Sequence, residues 1–125
     1  MTSPEARSFF KIPADFKKNY TKYTHISYGD GLTIGFAFVP LSKLKAAGVA
    51  SDPGPHVKRM MKILKSGKKV PPIAVKITQN GTIEVDDGNT RVIALKLMRA
   101  IGKVPAVIVA WTPTGIQRLK SMETF

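Results

Sequence analysis

The chain contains no cysteine. That absence excludes a disulfide scaffold, thiolate metal sites and cysteine redox chemistry. It says nothing about compartment. Long apolar runs are missing too: the longest, Val104 to Trp111, spans eight residues, whereas a membrane-spanning helix needs roughly 20. The start, Met1-Thr2-Ser3-Pro4-Glu5, lacks a basic stretch followed by an apolar one, so no secretion signal is visible and a cytoplasmic location is the expectation. Only two histidines occur, His25 and His56, without metal-ligand spacing. Aromatic residues make up 8% and cluster between residues 9 and 38. Tyr20, Tyr23 and Tyr28 offer rings for base stacking without signalling it. No repeat or low-complexity tract is present.

Negative charge is the other scarce commodity. Eight acidic residues face 20 basic ones in 125, a net charge of +12. Residues 36–70 hold eight cations and only Asp52, and so contribute +7. A field of this sign attracts polyanions, nucleic acid first among them, and an acidic host protein is the alternative. At 43% hydrophobic residues the chain is globular, and its length suits one domain.

Residues 1–33 read as an irregular N-terminal extension, pinned to a core by Phe9, Phe10 and Phe16; the domain proper spans residues 34–125. Ile34 to Val39 reads as a strand ended by Pro40. Leu41 to Ala47 suggests a short helix stopped by Gly48. A turn cluster, Ser51 to Pro55, precedes a helix from His56 to Ser66. Val57, Met60, Met61 and Leu64 share one face of it, and Lys58, Arg59, Lys62 and Lys65 occupy the rest. Ile73 to Thr78 alternates as a strand, and Asn80-Gly81 predicts a two-residue type I′ hairpin turn to Thr82–Val85. Asp86 to Asn89 reads as a tight loop. A helix follows from Thr90 to Ile101, stopped by Gly102. Val104 to Trp111 reads as a central strand, and Thr112-Pro113 opens a last short helix. The expected class is α+β, a small mixed sheet with helices packed around it.

The segment Glu84 to Val92 is the most informative. A strand ends, a glycine permits close approach, and a helix begins with unpaired amides and a positive dipole end. Gly88, Asn89, Thr90 and Arg91 are placed to converge on a phosphate. The competing reading makes Asp87 a helix cap and an i,i+4 partner of Arg91. Asp86 and Asp87 suit Mg²⁺ beside a phosphate, or else one caps and the other is solvated. Glu84 serves as a general base only if its side chain faces the pocket. Tyr28-Gly29-Asp30-Gly31 reads as a turn.

Several motifs in order carry a family resemblance. Val39-Pro40-Leu41-Ser42-Lys43-Leu44 is similar to the opening of ParB-type N-terminal domains. Pro55 through Gly67 to Pro71-Pro72-Ile73-Ala74-Val75 resembles their helix, glycine and following strand. Asp87-Gly88-Asn89-Thr90-Arg91-Val92 resembles their glycine-arginine box and its relative in free-serine kinases. Val104-Pro105-Ala106-Val107 is similar to the closing strand. The chain thus resembles the ParB/sulfiredoxin superfamily over residues 36–110, as a stand-alone ParB-like nuclease domain of phage or plasmid type.

The resemblance implies a nucleotide pocket for ATP or CTP with Mg²⁺, between the box loop and the basic helix. It implies nucleoside triphosphatase or DNase activity, with Asp86, Asp87, Arg91 and Glu84 as catalytic candidates. Lys58, Arg59, Lys62, Lys65, Lys68 and Lys69 are then expected on DNA phosphates. Departures narrow the choice. Sulfiredoxin requires a cysteine. Thr90 stands where sulfiredoxin and the serine kinases carry histidine, and where ParB carries its first box arginine. Pro55-His56 is the nearest match to ParB's upstream proline-arginine. The chain ends soon after its last strand, without the helix-turn-helix of partition proteins. Two alternatives accompany the enzyme reading: a non-catalytic basic effector on DNA or an acidic host protein, and a small-molecule kinase.

Overall fold

The computed structural model describes residues 3–12, 26–27, 33–45 and 54–122. Phe16, Tyr20, Tyr23, His25, the Tyr28–Gly31 turn, Gly48 and the start of the Ser51–Pro55 cluster lie outside them. Five strands form one mixed sheet: β1 (Ile26–Ser27), β2 (Thr33–Pro40), β3 (Ile73–Ile77), β4 (Ile83–Asp87) and β5 (Lys103–Ala110). Among the described residues three helices accompany it: α1 (Pro55–Lys65), α2 (Asn89–Leu97) and α3 (Pro113–Lys120). Strand order is β1-β2-β5-β3-β4, with β3 and β5 parallel and every other pair antiparallel. The α+β class with a mixed sheet is as expected.

The most apolar strand is central. β5 pairs over its whole length with β2 and along one half with β3. Its Val104, Ala106 and Ile108 are fully buried. They join Ile73, Val75 and Ile77 of β3 in one core with Val57 and Leu64 of α1, Val92 and Leu95 of α2, and Leu119 of α3. On β2 the alternation divides the strand: Ala37 and Val39 enter that core, and the buried Phe36 and Phe38 belong to the opposite face. The Arg7 guanidinium stacks 3.7 Å from the centre of the Phe38 ring.

The described part of the N-terminal segment packs against the domain. Ala6 and Phe10 are core residues, Glu5 and Phe10 bridge to Ile101 and Val70, and β1 joins the sheet. Lys69, expected on nucleic acid, donates instead to the Ser8 carbonyl and ties this segment down.

Four local readings need correction. The helix expected over Leu41–Ala47 is only a 3₁₀ turn, Leu41–Lys43. Leu44 is extended and fully buried, and Lys45 bridges to Glu84 of β4, so tertiary pairing overrides helix propensity. The hairpin has a three-residue loop. Gly81 donates to the Thr78 carbonyl at 2.8 Å, and Thr78 to the Thr82 carbonyl at 2.9 Å. Gly81 alone has positive φ, so the two-residue turn that needs Asn80 in that region does not form. β4 continues through Asp87 where a loop was expected, with Asp86 as an extra residue between the Val75–Val85 and Ala74–Asp87 pairs.

The last correction concerns the end of α2, which stops at Leu97, not Ile101. Arg99 adopts φ 57 and closes the helix, with its amide on the Lys96 carbonyl and that of Ala100 on the Leu95 carbonyl, both at 3.0 Å. This is a Schellman closure with arginine where glycine is usual. Replacing Arg99 by glycine should therefore stabilise the fold, by up to about 1 kcal/mol. Urea unfolding of R99G checks this, and an unchanged or lower midpoint contradicts it.

Candidate phosphate-binding site

The site is built at the joint between β4 and α2. The extra residue at Asp86 bends the strand end, and Gly88 turns the chain into the helix with φ 115. A Cβ at Gly88 would lie 2.6 Å from Ile73 Cγ2, so neither conformation nor space admits another residue. The first helical bond runs from Val92 to the Gly88 carbonyl at 3.0 Å. The Thr90 and Arg91 amides precede it and have no partner within the helix. The N-cap residue is Gly88, which offers no side chain, so the reading of Asp87 as the cap fails. Its reading as the i,i+4 partner of Arg91 holds, at 3.6 Å.

A cavity of about 310 Å³ opens over the joint, lined by Asp86, Asp87, Gly88, Asn89, Thr90, Arg91 and Met60 of α1. Every residue expected to hold phosphate or Mg²⁺ reaches it. A larger cavity, about 400 Å³, lies elsewhere, between the Leu41–Lys43 turn and the α2–β5 connection. Among the described residues it gathers Ser42 and Lys96 as polar side chains, and Lys96 is held by the Leu44 carbonyl. The loop cavity has the more convergent chemistry and is the stronger candidate.

Arg91 is differently employed than expected. Its Nη1 donates to the Pro71 carbonyl and, at 3.1 Å, to the Pro72 carbonyl, while Nη2 lies near Asp87. Its side chain is only 12% exposed. Burial lowers the guanidinium pKa from its ordinary value, and the Asp87 charge offsets part of that. A desolvated guanidinium takes whatever acceptors are in reach, here two carbonyls left by prolines that cannot pair as strand donors. Arg91 is thus a clamp between α2 and the segment entering β3, and it lines the cavity as a wall.

Glu84 does not join the site. It is directed to Lys76 across the strands at 3.8 Å and is absent from the cavity lining, which removes it as a general base there. Asp86 and Asp87 are both exposed, the Asp87 side chain at 83%. Among the described residues no group of three or more acidic or histidine side chains could hold a metal alone. A pair of carboxylates does suit Mg²⁺ arriving with phosphate oxygens and waters as its other ligands. Sequence reading missed Met60 as a lining residue and the Pro71 and Pro72 carbonyls as the Arg91 partners; neither has a local signal.

Lys58, Arg59, Lys62, Lys65 and Lys68 are all exposed. No helix among the described residues is long and apolar enough to cross a membrane.

No family model matches the chain, and no curated protein matches it. Its structure is similar to that of sulfiredoxin from Arabidopsis thaliana, at 22% identity and a TM-score of 0.46, over 70% of this chain and 98% of that one. The likeness assigns no role to any residue here.

Two substitutions test the joint. Gly88→Ala should cost about 2–4 kcal/mol, from left-handed strain and the Ile73 overlap. Arg91→Lys, which cannot span both proline carbonyls, should cost about 1–2 kcal/mol. Denaturant midpoints within error of the parent protein for either would show that the joint is not built this way.

Proposed function

We propose that the protein binds a nucleoside triphosphate with Mg²⁺ at the Gly88–Arg91 loop and hydrolyses it in work on DNA. The observation that carries this is the convergence of a helix N-terminus, the Thr90 hydroxyl and two exposed carboxylates on one cavity. Phosphate oxygens would take the Thr90 and Arg91 amides and the Thr90 hydroxyl as donors. Gly88 lets the backbone approach without a side chain in the way. Asp86, with Asp87, would hold Mg²⁺; when bound, the ion neutralises phosphate charge and orients the terminal group. Asp87 is shared with Arg91, which leaves Asp86 the freer carboxylate. Whether the base is adenine or cytosine is decided by the ligand test.

One observation favours a second reading. The Arg91 guanidinium is spent on Pro71 and Pro72, so among the described residues no side-chain cation of the cavity is aimed at a developing charge. A non-catalytic basic effector that binds a nucleotide and does not turn it over would have this arrangement.

Calorimetric titration of ATP and of CTP, each with Mg²⁺, separates these readings when paired with phosphate release. One-to-one binding that weakens about tenfold in Thr90→Val supports the pocket. Release that is lost in Asp86→Asn while affinity is largely kept supports hydrolysis, and binding without release selects the effector. Absence of heat with either nucleotide removes the proposal. The same samples incubated with duplex DNA would reveal nuclease activity.

A further inference from the structure

Another cavity, of about 240 Å³, lies away from the β4–α2 joint and shares no residue with the cavity there. Three cations line it: Lys43 of the 3₁₀ turn, Lys103 at the start of β5 and Arg118 of α3. Its apolar wall is formed by Pro40 and Met122, both half-buried, above the buried Phe38 and Ile83. Among the described residues no carboxylate lines it.

The three cations come from elements far apart in sequence, and only the fold gathers them. Like charges in one concave space repel, and the apolar wall strengthens their field. Two of them are fixed in place. Lys103 is held by the pairing of its backbone with Pro40 across the strands. Arg118 Nη1 donates to the Gly81 carbonyl at 2.7 Å. That bond takes one of the five guanidinium donors and is made to a neutral oxygen, so the charge stays. The dipole at the end of α3 favours Arg118. It accounts for neither Lys43 nor Lys103. An anion seated among the three removes the repulsion.

We propose that this cavity binds a compact organic phosphate, a phosphate monoester on a small apolar body. The volume lies below the roughly 300–1,000 Å³ of pockets for drug-sized ligands, so the occupant is small. Three cations favour a phosphate dianion over a carboxylate: Arg118 supplies a planar fork, and Lys43 and Lys103 supply point charges. Pro40 and Met122 supply the surface for the apolar body, the thioether adapting to an aromatic edge. A bare phosphate would leave that wall in water. The proposal does not rest on the nucleotide reading, because it uses other residues on other elements.

The test is methyl NMR of the methionine-labelled protein, titrated with phenyl phosphate in the absence of Mg²⁺. Met122 reports on this cavity and Met60 on the one at the β4–α2 joint. The Met122 methyl should shift saturably, and the Met60 methyl should not move. Lys43→Gln/Lys103→Gln should weaken the affinity about tenfold or more, and Lys43→Gln alone, at an exposed position, should weaken it less. Lys45→Gln/Lys120→Gln, equal in net charge and outside the lining, should leave it unchanged. Inorganic phosphate should bind about tenfold more weakly than phenyl phosphate, for want of the apolar contact. Saturable movement of Met60 in place of Met122 would overturn the assignment in favour of the other cavity. An equal loss in both double variants would overturn it in favour of net charge. Equal affinity for inorganic phosphate would overturn the ester as ligand class. Absence of any saturable shift at millimolar phenyl phosphate would remove the site.

Discussion

The contact between Gly88 and Ile73 constrains everything built around the candidate site. β4 must end, turn and become α2 within a space that admits no Cβ, because Ile73 fills it. That isoleucine is itself fixed by pairing with Ala106 of the central strand and by full burial. The loop therefore inherits its position from the core, through one van der Waals contact and a left-handed backbone. Arg91, one turn further on, fastens the same joint to the carbonyls of Pro71 and Pro72 just ahead of Ile73. Sheet, glycine and arginine form one mechanical unit, and the cavity is its open side.

This explains why the residues of the box serve two purposes unequally. Gly88 and the helix amides remain turned to the cavity, since backbone groups at a helix start have nowhere else to go. Side chains have choices. Arg91 takes two carbonyls and a carboxylate, and Glu84 lies 3.8 Å from Lys76. The positive potential at the site is thus mainly that of the backbone. The cations of α1 are exposed and do not line the cavity, and Lys69 donates to the Ser8 carbonyl of the N-terminal segment.

Much of the fold was legible in the sequence, where a local rule and a tertiary need coincide. The apolar run at Val104–Trp111 is the central strand, and Val57 and Leu64 are the buried face of α1. Thr112 caps α3, accepting from the Gly115 amide at 3.1 Å. Errors came where the two diverge. Leu41–Ala47 has helix-forming composition, but Leu44 is required in the core and Lys45 beside β4. Gly102 looks like the stop of α2, yet Arg99 supplies it three residues earlier, because Ile101 must pair with Pro4, Glu5 and Ala6 of the N-terminal segment.

By itself the sequence determined which chemistries were closed, with no thiol and few carboxylates. It also determined where charge concentrates and which loop combines a glycine, two aspartates and an arginine before a helix. These are properties of composition and spacing, and they survive any packing. Only the tertiary structure decided what each side chain faces. It turned Arg91 to Pro71 and Pro72, moved Glu84 out of the site, brought Met60 into it, and gave Lys69 an anchoring contact while the lysines of α1 stayed exposed. The reason is physical: direction depends on neighbours distant in sequence, and a charged side chain settles on the nearest acceptor that the fold supplies.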